Sequence, residues 1–355
     1  MRILVGMSGG IDSSVAAYLL KEQGHEVMGV TMTVWNRRGH LERPAGSNSC
    51  FAPDKSEDIA RIKEICAQIG IDHTVLELSD RFEEVVLENF KSEYLDGRTP
   101  NPCVWCNERI KFGAMVDYAA QSGIRFDAFA TGHYARIIED GGRLAVARAI
   151  DERKDQSYFL YRLSQEQLAR TLFPLGSLDK DEVRALDVKL GFHRSDQSES
   201  QDFYDGDYAD LLEVGDQVGN IVNADGEVLG RHNGIFRYTI GQRKGLGIAS
   251  SRPLYVIALR AESNEVVVGF SEEGEQTTVT ATDVVWQAIS SIEGEIEVEA
   301  KIRSASRPQR AFARREGDQI VARFPEGVKA AALGQSLVLY RGERILCGGI
   351  ISEAH

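Results

Sequence analysis

Near the start of the chain, Ser8-Gly9-Gly10-Ile11-Asp12-Ser13 combines paired glycines with hydroxyl and carboxylate side chains. The chemistry this suits is anion binding. Gly9 and Gly10 reach backbone angles closed to other residues and let amide groups approach a phosphate, while Ser8 and Ser13 add donors. The motif is not of the Walker type, because no Gly-Lys-Ser or Gly-Lys-Thr follows it. The plain alternative is an ordinary glycine turn.

A second cluster is Thr99-Pro100-Asn101-Pro102-Cys103-Val104-Trp105-Cys106-Asn107. Its two prolines hold an extended loop up to Pro102, after which 108–118 can run as a helix. Cys106 then stands near a helix start, whose positive end favours the thiolate, the nucleophilic and metal-binding form. The Cys-x-x-Cys spacing suits two ligands to one metal, zinc above all, or a redox dithiol.

The elements that must position these clusters follow from periodicity. Ile3-Leu4-Val5 reads as a strand running into the glycine turn, and Ser14 to Leu20 as the helix behind it, whose N-terminus adds to the phosphate cradle. Val27 to Val34 and Val75 to Leu78 read as further strands, with 126–130 as another that ends at Thr131-Gly132-His133. Asp54-Lys55-Ser56-Glu57 resembles a capping box, and Ile59, Ile62, Ile65, Cys66 and Ile69 share one helical face that Gly70 ends, so Cys66 reads as core. The stretch from Phe82 to Tyr94 also reads as a helix. Strands alternating with helices build a parallel sheet covered on both faces, and ligands bind at the ends of such strands. Beyond Gly206 short alternating strands take over, at 295–302, 320–324, 336–340 and 344–351, with Cys347 in the core of the last.

Composition bounds the class. At 355 residues, with 43% hydrophobic and 27% charged residues, the chain is expected to fold as two or three soluble domains. No apolar run approaches the roughly 18 residues that span a bilayer, and the first residues enter a strand with no signal peptide, so no membrane association and a cytoplasmic location are expected. Five cysteines, at 50, 66, 103, 106 and 347, are an odd number that argues for metal, redox or catalytic use rather than a disulfide framework. The net charge of -13 argues against indiscriminate nucleic-acid binding. Locally, however, 301–323 carries Lys301, Arg303, Arg307, Arg310, Arg314, Arg315 and Arg323 against only Glu316 and Asp318, and 229–246 carries Arg231, Arg237, Arg243 and Lys244 with no acid. Both windows read as faces for phosphates, or else as outward arginines that serve solubility.

The first motif resembles the SGGxDS signature of the PP-loop ATP pyrophosphatases. With Asn101-Pro102, Cys106-Asn107, Ala130-Thr131-Gly132-His133-Tyr134, Lys154-Asp155-Gln156-Ser157-Tyr158-Phe159, Gly241-Gln242-Arg243-Lys244-Gly245-Leu246-Gly247 and Gly334-Gln335-Ser336, the chain resembles the tRNA-specific 2-thiouridylase family over nearly its whole length. The resemblance implies an α/β fold: a Rossmann-like parallel-sheet PP-loop nucleotide domain at 1–205, a small β-rich tRNA-contacting domain at 206–270 and a β-barrel at 271–355. It implies adenylation of the C2 oxygen of a wobble uridine by ATP with Mg2+, then displacement of AMP by enzyme-held sulfur. Gly6, Met7, Ser8, Gly9, Gly10, Ile11, Asp12 and Ser13 would bind ATP, Asp12 helping to hold the metal, and Met32 and Gly132 would line the adenosine site. Cys106 matches the nucleophile; Asn101, Pro102 and Cys103 would approach the base, and His133, Lys154, Asp155, Gln156, Arg303, Ser304 and Gln335 would contact tRNA. A cysteine desulfurase or sulfur carrier is implied as donor.

One departure bears on mechanism. In much of the family a second cysteine follows a Ser-Gln-Asp stretch, whereas Ser200-Gln201-Asp202-Phe203 is followed here by Tyr204, and Cys103 stands where many members have aspartate. Two mechanisms follow. Either Cys103 and Cys106 form the working pair, one bearing the persulfide and the other resolving it, or both join Cys50 as ligands of a [4Fe-4S] cluster whose fourth iron binds sulfide. The expected convergence of three cysteine-bearing loops favours the cluster. Two rival functions share part of the pattern: a PP-loop ligase acting on a small molecule, which has no use for basic β modules, and a non-catalytic tRNA-binding protein.

Overall fold

The computed structural model describes residues 1–35, 49, 51, 56–194, 203, 204 and 206–355. They form two compact units. The first comprises Met1–Val86, Cys103–Gly206 and Glu343–Ile345, and the second Leu87–Pro102, Asp207–Gly342 and Leu346–His355.

In the first unit, β1 (Arg2–Gly6) leads through the glycine turn to α1 (Ile11–Glu22), then β2 (Glu26–Thr33), α2 (Ser56–Ile69) and β3 (Asp72–Glu77). After β4 (Ala128–Ala130) come the hairpin β5 (Ala135–Asp140) and β6 (Arg143–Arg148) and a short β7 (Thr171–Leu172). Five of these form a parallel sheet in the order β3-β2-β1-β4-β7. The chain winds outward from β1 in one direction and resumes on its other side with β4, so the switch point where such sheets bind ligands falls between β1 and β4. Ile3, Val5, Ala17, Leu20, Val27, Ile62, Ile65 and Cys66 pack into one core. Cys66 is buried as its helical spacing predicts, and burial pushes its thiol up to about 11. The hairpin was not expected, although Gly141 and Gly142, both at positive φ, supply the tight turn it needs.

Two stretches differ from the expected α-helices. Residues expected as one helix over 82–94 form Ser79–Phe82, a π-helical turn at Glu83–Leu87 and Glu88–Leu95. The helix expected to start near 108 begins at Pro102, since proline fits the first helical position, and widens into a π-helix at Cys106–Ala114. Cys103 therefore occupies the first turn and Cys106 the next.

In the second unit, the helix Glu88–Leu95 packs Phe90 and Tyr94 against Tyr208. Strands β8 (Gly219–Val222), β9 (Val228–His232), β10 (Tyr255–Arg260) and β11 (Glu265–Gly269) form a sheet in the order β10-β11-β8-β9. The remaining strands, β12 (Glu275–Trp286), β13 (Glu295–Lys301), β14 (Gln309–Glu316), β15 (Gln319–Lys329), β16 (Ser336–Arg341) and β17 (Arg344–Ala354), run β12-β15-β14-β13-β16-β17. Pairing of β12 with β17 closes them into a barrel, and Cys347 is buried in it. Among the described residues no helix is long and apolar enough to cross a membrane.

Candidate active site

The glycine turn expected to bind phosphate is built at the end of β1. Met7 N–H donates to the Val30 carbonyl of β2 (2.8 Å), and Thr31 Oγ1 donates to the Met7 carbonyl (2.8 Å) while accepting from His73 Nε2 (2.8 Å). These bonds fix where the strand stops. Gly9 takes φ +81°, and a Cβ there would lie 2.9 Å from Ile62 Cγ1, so conformation and space both demand glycine. Ser13 Oγ accepts from Ser8 N–H (3.2 Å) and donates to the Gly10 carbonyl (3.1 Å), which closes the turn from inside. Gly6, Met7 and Ile11 lie in the strand end and first helical turn around it, and Met32 lies at the carboxyl end of β2.

Asp12, at the start of α1, receives two donors on the same oxygen. Lys180 Nζ is 2.6 Å and the Tyr134 hydroxyl 2.9 Å from Asp12 Oδ1. The Lys180 side chain is only 5% exposed. Its backbone N–H is held in turn by Asp151 Oδ2 (3.1 Å), whose carboxyl the Arg153 guanidinium draws down to about 2. Both donors fall on Oδ1, and a carboxylate with its other oxygen outside these bonds has the chemistry to fit a hard cation such as Mg2+. Sequence reasoning missed Lys180. A lysine in the first turn of a helix opposes the helix dipole, and that anomaly, inside the Asp179–Glu182 capping box, was the available signal.

Gly132, after β4, touches the cradle directly: a Cβ there would lie 2.7 Å from the Asp12 carbonyl carbon and the Ser13 nitrogen. The next residue, His133, packs its ring tilted against Phe112 (5.9 Å) and edge-on to Phe173 (6.1 Å), with Nδ1 2.7 Å from Thr131 Oγ1. Burial and Lys111 hold its pKa well below the usual histidine value, so it is neutral at pH 7. Phe112 belongs to the π-helix that begins with Cys106 and also packs on Phe129 of β4 (5.4 Å). One short stretch, Phe129 to His133, thus supports the phosphate loop on one side and the cysteine helix on the other.

That helix is anchored further. Arg162, 3% exposed, forms an ion pair through Nε with Glu108 Oε2 at 2.5 Å and lies over the Trp105 ring at 4.5 Å. Gln167 Nε2 donates to the Glu108 and Phe112 carbonyls (2.9 and 3.1 Å), and Asn107 Nδ2 to the Phe159 carbonyl (3.1 Å). Cys103 is exposed and Cys106 half-buried. Cys50 lies outside the described residues, as do Ser200, Gln201 and Asp202. Among the described residues no three His, Cys, Asp or Glu side chains form a metal-binding cluster. Tyr204 is buried against Phe51.

The other residues singled out by resemblance divide by role. Asp155 accepts from Ala149 N–H (3.1 Å) and from Ser157 N–H and Oγ (3.2 and 2.8 Å), and Gln156 Oε1 accepts from Tyr134 N–H (2.9 Å). Both hold the turn beside Tyr134, with Lys154 half-buried next to them. In the second unit Gln335 Nε2 donates to the Thr99 and Pro100 carbonyls (3.2 and 2.9 Å), which fixes the backbone leading to buried Asn101 and to Pro102. Arg303 donates to the Ile240 carbonyl beside Gly241, and Ser304 is exposed.

The basic windows read differently in three dimensions. Arg310 is paired with Glu297 (2.8 Å), Arg323 with Glu295 (3.4 Å), Arg314 with Glu316 (2.6 Å) and Arg315 with Asp318 (3.5 Å). β13 brings Glu295 and Glu297 from outside the window that looked acid-poor. Arg237 is likewise paired with Asp207 (2.9 Å), whereas Arg243, Lys244 and Arg307 are exposed.

Comparison with known proteins agrees along the chain. Family models described as a tRNA methyl transferase HUP domain, a tRNA methyl transferase PRC-barrel domain and an aminomethyltransferase beta-barrel domain match residues 1–204, 212–270 and 276–351. The tRNA-specific 2-thiouridylase MnmA of Endomicrobium trichonymphae is 44% identical over 356 residues, 99% of each chain. That of Geobacter metallireducens is 44% identical over 364 residues, 99% of this chain and 97% of the relative. Among solved structures, a 4-thiouridine synthetase–RNA complex with bound ATP is 16% identical with a TM-score of 0.35, covering 54% of this chain and 41% of that one. On these matches the chain belongs to the tRNA-specific 2-thiouridylase family.

Proposed function

We propose that this chain replaces the C2 oxygen of the wobble uridine of tRNA with sulfur, using ATP. The C2 oxygen attacks the α-phosphorus, a new O–P bond forms and pyrophosphate leaves; sulfur then attacks C2 and expels AMP. Activation is necessary because a uridine carbonyl is a poor electrophile with a poor leaving group. The loop from Gly6 to Ser13 binds the triphosphate, with Met32 and Gly132 at the adenosine. Asp12 would hold Mg2+, which would supply charge neutralisation at the phosphates. The proposed domains are 1–205 for adenylation, with 206–270 and 271–355 for tRNA, and the site of action is the cytoplasm.

The observation that carries this reading is the shared support at Gly132 and His133. Gly132 abuts the Asp12–Ser13 peptide, and His133 packs on the helix that begins with Cys106. A nucleotide-activating loop and a thiol built on one rigid segment suit a reaction that must activate and displace at one carbon.

Sulfur is held at Cys103 and Cys106, because Tyr204 cannot carry it. In one form Cys106 bears a persulfide received from a cysteine desulfurase or carrier, and Cys103, one turn away, resolves it by disulfide formation. In the other, both cysteines and Cys50 would hold a [4Fe-4S] cluster, which would supply an iron for sulfide. Anaerobically purified protein with iron and a broad visible absorption lost in Cys50→Ala supports the cluster; full activity without iron supports the persulfide.

The main test incubates the protein with ATP, Mg2+ and unmodified tRNA, with either sulfide or cysteine plus a cysteine desulfurase as the sulfur source, aerobically and anaerobically, followed by mass analysis of the wobble nucleoside. One pyrophosphate per 2-thiouridine is expected. Pyrophosphate release with a metabolite and without tRNA would point to a small-molecule ligase, and no ATP turnover with the correct tRNA to a binding protein.

A further inference from the structure

We propose that His193 is a positioning residue that locks the Gly9–Gly10 peptide with its amide turned toward the bound phosphate. The argument rests on the nucleotide reading above and concerns residues within the first unit alone.

His193 follows the helix Lys180–Leu190, which Gly191 ends at φ +71°. Its Nε2 lies 2.9 Å from the Gly9 carbonyl oxygen and its Nδ1 2.7 Å from Asp187 Oδ1. Neither side chain sees solvent, with exposures of 0% for His193 and 2% for Asp187. A carbonyl oxygen can only accept, so Nε2 carries a proton and donates it. Asp187 occupies the other nitrogen and holds the ring in the orientation that aims Nε2 at the loop.

The consequence follows from peptide geometry. The chain contains no cis peptide bond among the described residues, and in a trans peptide the C=O and the next N–H point in opposite directions. Holding the Gly9 carbonyl against His193 therefore directs the Gly10 N–H away from His193. That amide is one of the donors a phosphate requires. Glycine on both sides leaves this peptide unusually free to rotate, because no Cβ resists the flipped form. A flipped peptide presents a carbonyl oxygen to the anion in place of a donor. The hydroxyls of Ser13 and Ser14 do not take this part: their bonds fall on the Gly10 carbonyl, one peptide further on. A buried imidazole with a dedicated carboxylate exceeds what core packing needs, since an apolar side chain would fill the space without desolvating two polar groups.

The test compares His193→Leu, which removes the donor, with His193→Gln, whose amide N–H can replace it. ATP and tRNA affinities are measured by calorimetry, beside the thermal unfolding midpoint. Loss of one donor to a phosphate is expected to weaken ATP binding by about tenfold in His193→Leu. His193→Gln should recover most of it, and tRNA affinity should stay unchanged in both. A folded His193→Leu protein that binds ATP as tightly as wild type overturns the lock, whereas failure of wild-type protein to bind ATP overturns the nucleotide reading instead. Should His193→Leu not fold, 15N-histidine NMR of wild-type protein decides: the His193 Nε2–H signal, identified by its loss in His193→Gln, is expected downfield and slow to exchange. Absence of a proton on that nitrogen overturns the proposal.

Discussion

Lys180 Nζ lies 2.6 Å from Asp12 Oδ1, so the acidic residue of the phosphate loop has a buried ammonium as its neighbour. The pair places the Lys180 ammonium beside the turn where the triphosphate is proposed to bind. Lys180→Met removes that charge and leaves the carboxylate facing an anion. Pyrophosphate release is expected to fall by about 10–100-fold, the range for losing a charge-assisted hydrogen bond. Lys180→Arg should not restore it, because a planar guanidinium does not fit a site shaped for a compact ammonium. An unchanged rate in a folded Lys180→Met protein would show that the charge plays no part.

Gly132 tolerates no Cβ. An added methyl group would lie 2.7 Å from backbone atoms of Asp12 and Ser13, and backbone cannot step aside as a flexible side chain can. Gly132→Ala is expected to abolish measurable ATP binding while leaving tRNA affinity within about twofold, because most phosphate contacts to tRNA are proposed on 206–270 and 271–355. Equilibrium binding of both ligands to the variant checks it; ATP affinity equal to wild type would refute the close approach.

Arg162 and Glu108 form an ion pair with side-chain exposures of 3% and 13%. Arg162→Met leaves a mostly buried carboxylate with only the more exposed Arg109 as ion-pair partner (3.2 Å), and the expected loss is about 2 kcal/mol of unfolding free energy in urea. Glu108→Gln added to it should return much of that loss, because the under-compensated charge is gone. If the double variant is no more stable than Arg162→Met, the pair is not what anchors the cysteine helix.

Arg310 on the barrel is paired with Glu297, whose carboxyl it holds below the usual glutamate range. A phosphate that uses Arg310 must displace that glutamate. Glu297→Gln is therefore expected to strengthen tRNA binding about two- to threefold, the scale of an exposed ion pair, and charge reversal at Arg307 and Arg310 to weaken it. Filter-binding titrations across salt concentrations measure both, and unchanged affinity in both variants would remove the face from tRNA recognition.

The local half of this structure was legible in the sequence. β1, the glycine turn and α1 follow one another, and each announces itself within a few residues through apolar runs, glycines and helical spacing. What the sequence hid is whatever depends on distance along the chain. Lys180 is 168 residues from Asp12 and His193 is 184 residues from Gly9, and no periodicity links them. Glu295 and Glu297 neutralise arginines only because β13 and β14 are neighbours, which a charge window cannot register. The closure of β12 on β17 has the same origin. The two π-helical stretches escaped because their residues have ordinary helical composition; packing of Phe112 against β4 and the bonds to Gln167, rather than propensity, accompany the wider turn at Cys106.

The wider turn has a bearing on insertions and deletions. Within Cys106–Ala114 each hydrogen-bonded ring encloses one residue more than an α-helix allows. Deleting a single residue there would let the stretch relax to the common form with Cys106 and Phe112 still facing as they do, because five α-helical steps of about 100° turn about as far as six of the wider ones. A one-residue deletion should therefore be tolerated, whereas a one-residue insertion has no such slack, would swing the thiol of Cys106 by about 100° around the axis and should disarm the protein without unfolding it.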